Sequence, residues 1–140
     1  MGADALIEFE DAAGASWVAT WTGSDETYFA PVFCDSLDYM LGDARERKLI
    51  PLSELYDHSV ANGEAEVASK WFAVGEGIRT LDVLIGSFEW FTPGEASFSP
   101  GERVAGAPAE EVYASLKNMR GALEAGRGRG ATMFRLVVYD

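Results

Sequence analysis

The chain has few of the side chains that usually carry catalysis. Its only histidine is His58, between Asp57 and Ser59, and its only cysteine is Cys34. Triad members meet in space, so this contiguous run does not predict a triad, and an exposed polar histidine is the expected arrangement. Carboxylate acid/base chemistry stays open. The lack of an evident nucleophile–base pair favours a binding protein over an enzyme.

Neither a metal ion nor a cofactor is expected. Asp35, Asp38 and Asp43 do not match the spacing of a calcium-binding loop, and Cys34 has no second cysteine with which to hold zinc. The segment 75–77 resembles the start of a dinucleotide fingerprint, but Thr80 stands where its third glycine belongs. The glycine- and arginine-rich segment 126–130 follows a predicted helix, so it is interpreted as a helix stop.

One face of a predicted helix, Ser36–Arg47, is the best candidate for recognition. Residues placed 100° apart put Leu37, Met40, Leu41 and Ala44 in one apolar arc. The opposite arc holds the candidate partner-binding residues Asp38, Tyr39, Asp43 and Glu46. A tyrosine among carboxylates suits an interface with arginine and lysine. The alternative is an ordinary solvated helix face that includes one tyrosine.

The charge is high and unevenly distributed. The chain carries a net charge of −12, and residues 1–66 hold 14 carboxylates against three basic residues. Residues 67–140 hold nine against eight, and no basic residue precedes Arg45. Nucleic acid and anionic membrane are therefore disfavoured as partners, and a basic protein is favoured. Solubility or adaptation to salt would also explain the acidity, although adaptation to salt usually acidifies the whole surface.

Length and composition predict a single globular domain over residues 1–140. Hydrophobic residues make up 48% of the chain, enough for one core, and no apolar run is long enough to span a bilayer. The N-terminus lacks the basic residues of a secretory signal, and one cysteine allows no internal disulfide. A cytoplasmic location is expected, and the excess of arginine over lysine suggests a bacterial source.

Periodicity predicts an α+β fold, with a mainly antiparallel sheet of about five strands and three to four helices packed chiefly on one face. The predicted strands are Ala5–Glu10, Ser16–Thr22, Thr27–Phe33, Ala65–Val74 and Thr132–Tyr139. The predicted helices are Ser36–Arg47, Ser53–Ser59, Gly75–Trp90 and one from Pro108 to a stop at Gly126. Trp17 and Trp21 share one strand face, as core residues or alternatively as a ligand platform.

The clearest core pattern lies in the last helix and strand: Leu116, Met119, Leu123, Phe134, Leu136 and Val138. The connection 92–106 is rich in proline and glycine, and its length predicts a mobile segment. Two functions follow. The favoured one is an acidic interaction module, such as an inhibitor or immunity-type protein docking on a basic partner. The alternative is a small-ligand binder or enzyme with an aromatic pocket and the 92–106 connection as its lid.

Overall fold

The computed structural model describes residues 4–19, 35–55, 61–62, 65–67, 71–88, 90–94, 96–104 and 106–139. Its helices are α1 (Asp35–Met40), α2 (Leu52–Leu55), α3 (Val74–Ile85) and α4 (Ala109–Gly128). Its strands are β1 (Asp4–Asp11), β2 (Ser16–Ala19), β3 (Ala61–Asn62), β4 (Ala65–Val67), β5 (Phe72–Ala73), β6 (Arg103–Val104), β7 (Ala107–Pro108) and β8 (Ala131–Tyr139). The predicted α+β class is confirmed.

The main sheet is antiparallel in all its pairings, with strand order β2-β1-β8-β4-β3 and β5 also paired to β8. The predicted N-terminal hairpin is present. Asp11 closes its turn by accepting hydrogen bonds from the backbone amides of Ala13 and Ala15. β8 lies inside the sheet between β1 and β4, and Val137 on its second face is buried.

The core lies between the sheet and the two long helices. Phe9 of β1 and Phe134 of β8 are paired in register and buried, and they face α4 and α3 respectively. The stripe Leu116, Met119 and Leu123 is buried beside them, as predicted. Phe134 and Leu136 are buried too, whereas the side chain of Val138 lies outside the described residues.

Trp17 belongs to this core rather than to an open platform. Its ring is half-buried and lies 5.7 Å from that of Phe9, centroid to centroid. The guanidinium of Arg129 covers it at 4.7 Å. Trp21 lies outside the described residues, as does the predicted strand Thr27–Phe33.

The last helix does not stop at Gly126, so that prediction is wrong. α4 continues to Gly128, Arg129 is its C-cap, and Gly130 takes a positive φ of 101°. Gly126 is buried, and a Cβ added there would overlap the ring of Phe9. Glycine at this position allows close helix–strand packing and does not end the helix.

The first predicted helix is also shorter than expected. α1 ends at Met40, and Gly42 follows with a φ of +61°. Leu37 and Leu41 are fully buried and Ala44 nearly so, so the apolar spacing is real, but it continues through turns. Arg47 stabilises the helix end by donating from Nη1 to the carbonyl oxygen of Leu41 at 2.9 Å.

Two other predicted elements differ in their bounds. The described part of the helix predicted over 53–59 is α2, and residues 56–60 lie outside the described residues. Of the strand predicted over 65–74, the structure describes β4 and β5, and residues 68–70 lie outside the described residues. The helix predicted over 75–90 begins one residue early and ends at Ile85.

The described part of the connection 92–106, which its length predicted to be mobile, is packed against the core. Phe98 and Val104 are buried, and β6 and β7 form a small ribbon. The amides of Ser97 and Phe98 donate to the carbonyl oxygen of Ser87 at 2.9 and 3.0 Å. These contacts argue against a freely moving lid.

Candidate functional site

The four residues predicted to bind a partner do not lie on one helix. Asp38 and Tyr39 lie in α1, whereas Asp43 and Glu46 lie in the loop between α1 and α2. The helical arc that grouped them therefore does not exist. We call the exposed surface carried by these four residues the α1–α2 face.

Tyr39 is the most exposed large apolar side chain described, at 81% of its full accessibility. It makes no ring contact within the described residues. Asp43 and Glu46 are exposed, and neither forms an ion pair in the described part of the chain. These three side chains are available to a partner.

Asp38 has a structural task instead. It is partly buried, and its Oδ1 accepts a hydrogen bond of 2.9 Å from the backbone amide of Leu52 at the start of α2. A carboxylate there satisfies an otherwise unpaired helix amide. Asp38 thus holds α1 and α2 together, which positions the α1–α2 face.

The loop that carries the face is attached to α3. The buried hydroxyl of Thr80 accepts from the amide of Ile50 at 2.9 Å and donates to the carbonyl oxygen of Glu76 at 2.8 Å. Arg79 donates to the carbonyl oxygen of Lys48 at 3.0 Å. These bonds fix the loop, so the exposure of Tyr39 is a property of a defined conformation.

A cleft of about 380 Å³ adjoins the end of this loop. It is lined by Arg45, Leu49, Ile50, Pro51, Glu54, Trp71, Phe72, Ala73, Glu76 and Met133. Arg45 forms an ion pair of 2.9 Å with Glu54. On the sheet, Arg135 lies 4.4 Å from the ring centroid of Trp71 and donates to Glu8 at 2.6 Å.

A second, larger groove of about 680 Å³ lies along α3 and α4, and sequence reasoning missed it. It is lined by Asp82, Ile85, Phe91, Tyr113, Lys117, Arg120 and Gly121. The α4 members recur at helical spacing, one position beyond the buried stripe at 112, 116, 119 and 123. The buried stripe could have indicated that the adjacent α4 positions lie at its edge. It could not have indicated the groove itself, because Phe91 and Asp82 come from other parts of the chain.

The groove is ordered by ring packing and by one ion-pair network. Tyr113 lies 5.5 Å from buried Phe88 and 5.4 Å from Trp90, between ring centroids. Arg120 donates to Asp82 and lies 3.5 Å from Glu124. The hydrogen bond to Asp82 raises the pKa of Arg120 despite the opposing effect of burial, and the nearby carboxylate charges add to the rise. The arginine therefore stays protonated.

Among the described residues, no group of three or more His, Cys, Asp or Glu side chains could hold a metal ion. None of the described helices has the length and apolarity to cross a membrane. Cys34 and His58 lie outside the described residues.

Comparisons of the chain with protein-family models, curated proteins and solved structures found no match. The structure shows an α+β domain with an exposed tyrosine on the α1–α2 face and a separate groove lined in part by aromatic residues.

Proposed function

We propose that this chain is an acidic protein-interaction module, acting in the cytoplasm, that docks on a basic partner through the α1–α2 face. The observation that carries the proposal is the 81% exposure of Tyr39 in α1, next to a loop that is fixed by hydrogen bonds. Burying an exposed aromatic ring against a partner is a frequent source of binding energy. The corresponding biological role is that of an inhibitor or immunity-type protein that blocks a basic enzyme.

The distribution of charge along the chain also supports a basic partner. Residues 1–66 contribute −11 of the net charge of −12. Two of the three basic residues in this region are engaged within the protein, Arg45 with Glu54 and Arg47 with the end of α1. Asp43 and Glu46 are exposed beside them, and so is Lys48, the third basic residue, so the attraction of a basic partner rests on the charge of the whole region 1–66.

The cleft next to the loop gives such a partner a second point of contact. Glu76 lines it and offers a carboxylate to a lysine or arginine side chain, whereas Glu54 is paired with Arg45 and the Trp71 ring is covered by Arg135. We propose that Tyr39 anchors the interface and that Asp38 positions it through its bond to α2. Asp43 and Glu46 contribute attraction at the rim.

The test compares the protein with its Tyr39→Ala variant in affinity capture from a lysate of the source cells, followed by binding kinetics with the captured basic protein. We expect Tyr39→Ala to weaken binding by at least about 2 kcal/mol, as for an interface hot spot. Asp43→Asn should have a smaller effect. The on-rate should fall as ionic strength rises from about 0.01 to 0.15 M, where the Debye length falls from about 30 to 8 Å.

Phe91→Ala is the matched control, because it removes an exposed aromatic ring from a different surface. It should leave this binding unchanged. If Tyr39→Ala binds like the wild type and the on-rate ignores salt, the acidity serves solubility and the α1–α2 face is not an interface.

The alternative function, small-ligand binding, is favoured by the aromatic groove. The lid assigned to it is not supported, because Phe98 and Val104 anchor the 92–106 connection in the core. The groove is open to solvent without a lid.

A further inference from the structure

The groove along α3 and α4 has the size and surface of a small-molecule site. Its volume of about 680 Å³ lies within the range of about 300–1,000 Å³ usual for ligand pockets. Gly121 contributes no side chain, and nothing lies within 4 Å of the position where a Cβ would stand. A planar group can therefore approach the helix backbone closely at this point.

Tyr113, the aromatic ring that α4 contributes to the groove, is held in place by neighbouring rings. Phe88 is fully buried and contacts Phe98, Trp90 and Tyr113, with centroid distances of 5.1 to 6.2 Å. Phe91, next in the chain to Trp90, is 61% exposed and lines the groove. A flat aromatic ligand would stack on such surfaces with little ordering of the protein.

The charged groups of the groove favour an anion. Asp82 is neutralised by Arg120, which also contacts Glu124. Lys117 forms no ion pair within the described residues, and its Nζ lies 5.3 Å from the ring centroid of Tyr113. The groove therefore places an uncompensated ammonium group beside an aromatic wall, in a chain whose net charge of −12 repels anions elsewhere.

We propose that this groove binds a small aromatic carboxylate. The ring of the ligand lies over Gly121 and against Tyr113 and Phe91, and its carboxylate accepts a hydrogen bond from Nζ of Lys117. This function goes beyond the α1–α2 face, with which the groove shares no residue.

The probes are 2-naphthoate and its neutral counterpart 2-naphthalenemethanol, titrated into the full chain and followed by amide chemical shifts in NMR. At about 0.3 kcal/mol for each non-hydrogen atom, naphthoate should bind with a dissociation constant on the order of 1 mM. We expect the shifts to centre on Tyr113, Lys117 and Gly121. Naphthoate should bind about tenfold more tightly than the alcohol, because a hydrogen bond between charged groups exceeds a neutral one.

Two variants separate shape from charge. Gly121→Leu places a side chain in the groove at a position where an added Cβ meets nothing within 4 Å, and it should weaken both probes at least tenfold. Gly75→Leu is its matched control, since Gly75 is also helical and open and lies outside the groove. Lys117→Gln should abolish the preference for naphthoate and leave the binding of the alcohol unchanged.

The proposal is overturned if neither probe binds up to about ten times the expected constant, or if the shifts lie elsewhere. It is also overturned if Gly121→Leu binds naphthoate like the wild type or if the two probes bind equally well. Tyr39→Ala should not affect naphthoate binding, so failure here is distinct from failure of the interaction-module proposal.

Discussion

The α1–α2 face and the aromatic groove present aromatic side chains to solvent in different ways. Tyr39 stands alone on a short helix whose loop is shaped by hydrogen bonds from Asp38, Arg47 and Thr80. Tyr113 of the groove packs on buried Phe88 and on Trp90, whereas Phe91 makes no ring contact within the described residues. Packing on neighbouring rings explains Tyr113 without a ligand, whereas Tyr39 makes no such contact in the described part of the chain. An exposed ring that packs on no other ring is therefore a stronger sign of a binding partner than a packed ring. For a packed ring, a nearby charged group has to supply further evidence of binding.

The largest expected effect concerns the contribution of the buried α4 stripe, which adjoins the groove, to the stability of the fold. Leu116 is fully buried in the α4 stripe next to the groove stripe. Leu116→Ala should lower the free energy of unfolding by about 2–5 kcal/mol, because it removes apolar contacts and leaves a cavity. Chemical denaturation measures this, with exposed Glu111→Ala on the same helix as control. A loss below about 0.5 kcal/mol would mean that the stripe bears little of the fold's stability.

Replacing either of two glycines of α4 by alanine should change the free energy of unfolding, and the two changes should have opposite signs. Gly126→Ala should cost about 1–3 kcal/mol, because the new methyl group overlaps the ring of Phe9. Gly121→Ala should instead stabilise by up to about 1 kcal/mol, since its site is open and alanine favours the helix. Thermal or denaturant unfolding of both variants checks the pair. Shifts in the same direction would contradict the packing described for Gly126.

A smaller effect distinguishes the two carboxylates of the α1–α2 face. Asp38→Ala should cost about 1 kcal/mol, because the amide of Leu52 loses its acceptor. Asp43→Ala removes the same charge, but its bond to the amide of Glu46 is longer, at 3.3 Å, and exposed. It should cost less than about 0.5 kcal/mol. Equal losses would show that charge, and not the cap, sets the stability of this region.

The smallest effect concerns the ion pair of the groove. The side chains of Arg120 and Asp82 are 34% and 48% exposed, so solvent screens their attraction. Arg120→Gln should change the unfolding free energy by about 0–1 kcal/mol, with the difference shrinking in salt. A salt-independent loss well above that range would mean that packing of the arginine stem dominates.

The sequence was most informative where one pattern ran without interruption. α4 and β8 were predicted because each keeps a single period over many residues, and both follow in the structure. α1 was predicted too long because Leu41 and Ala44 are buried at helical spacing in a segment that turns at Gly42. Burial fixes the spacing of such residues, and it does not require a helix between them.

Glycine and isolated apolar residues account for other errors. A glycine needed for close packing and a glycine that ends a helix look alike in sequence, and Gly126 was assigned to the second class. Phe98 and Val104 belong to no periodic run, so their burial was not predicted. The groove was missed for a related reason: it joins Phe91 and Asp82 to α4, and the residues alone do not indicate which elements meet.

The position of β8 also bears on how the protein is synthesised. β1 pairs with β8 along its whole length, from Asp4↔Tyr139 to Asp11↔Ala131. The first described strand therefore cannot pair fully until the last one has been synthesised. One edge of β1 stays unpaired while the intervening residues leave the ribosome. Long-range pairing of this kind slows folding and leaves strand edges open to association with other chains. A chaperone that covers the N-terminal hairpin during synthesis should therefore raise the yield of folded protein.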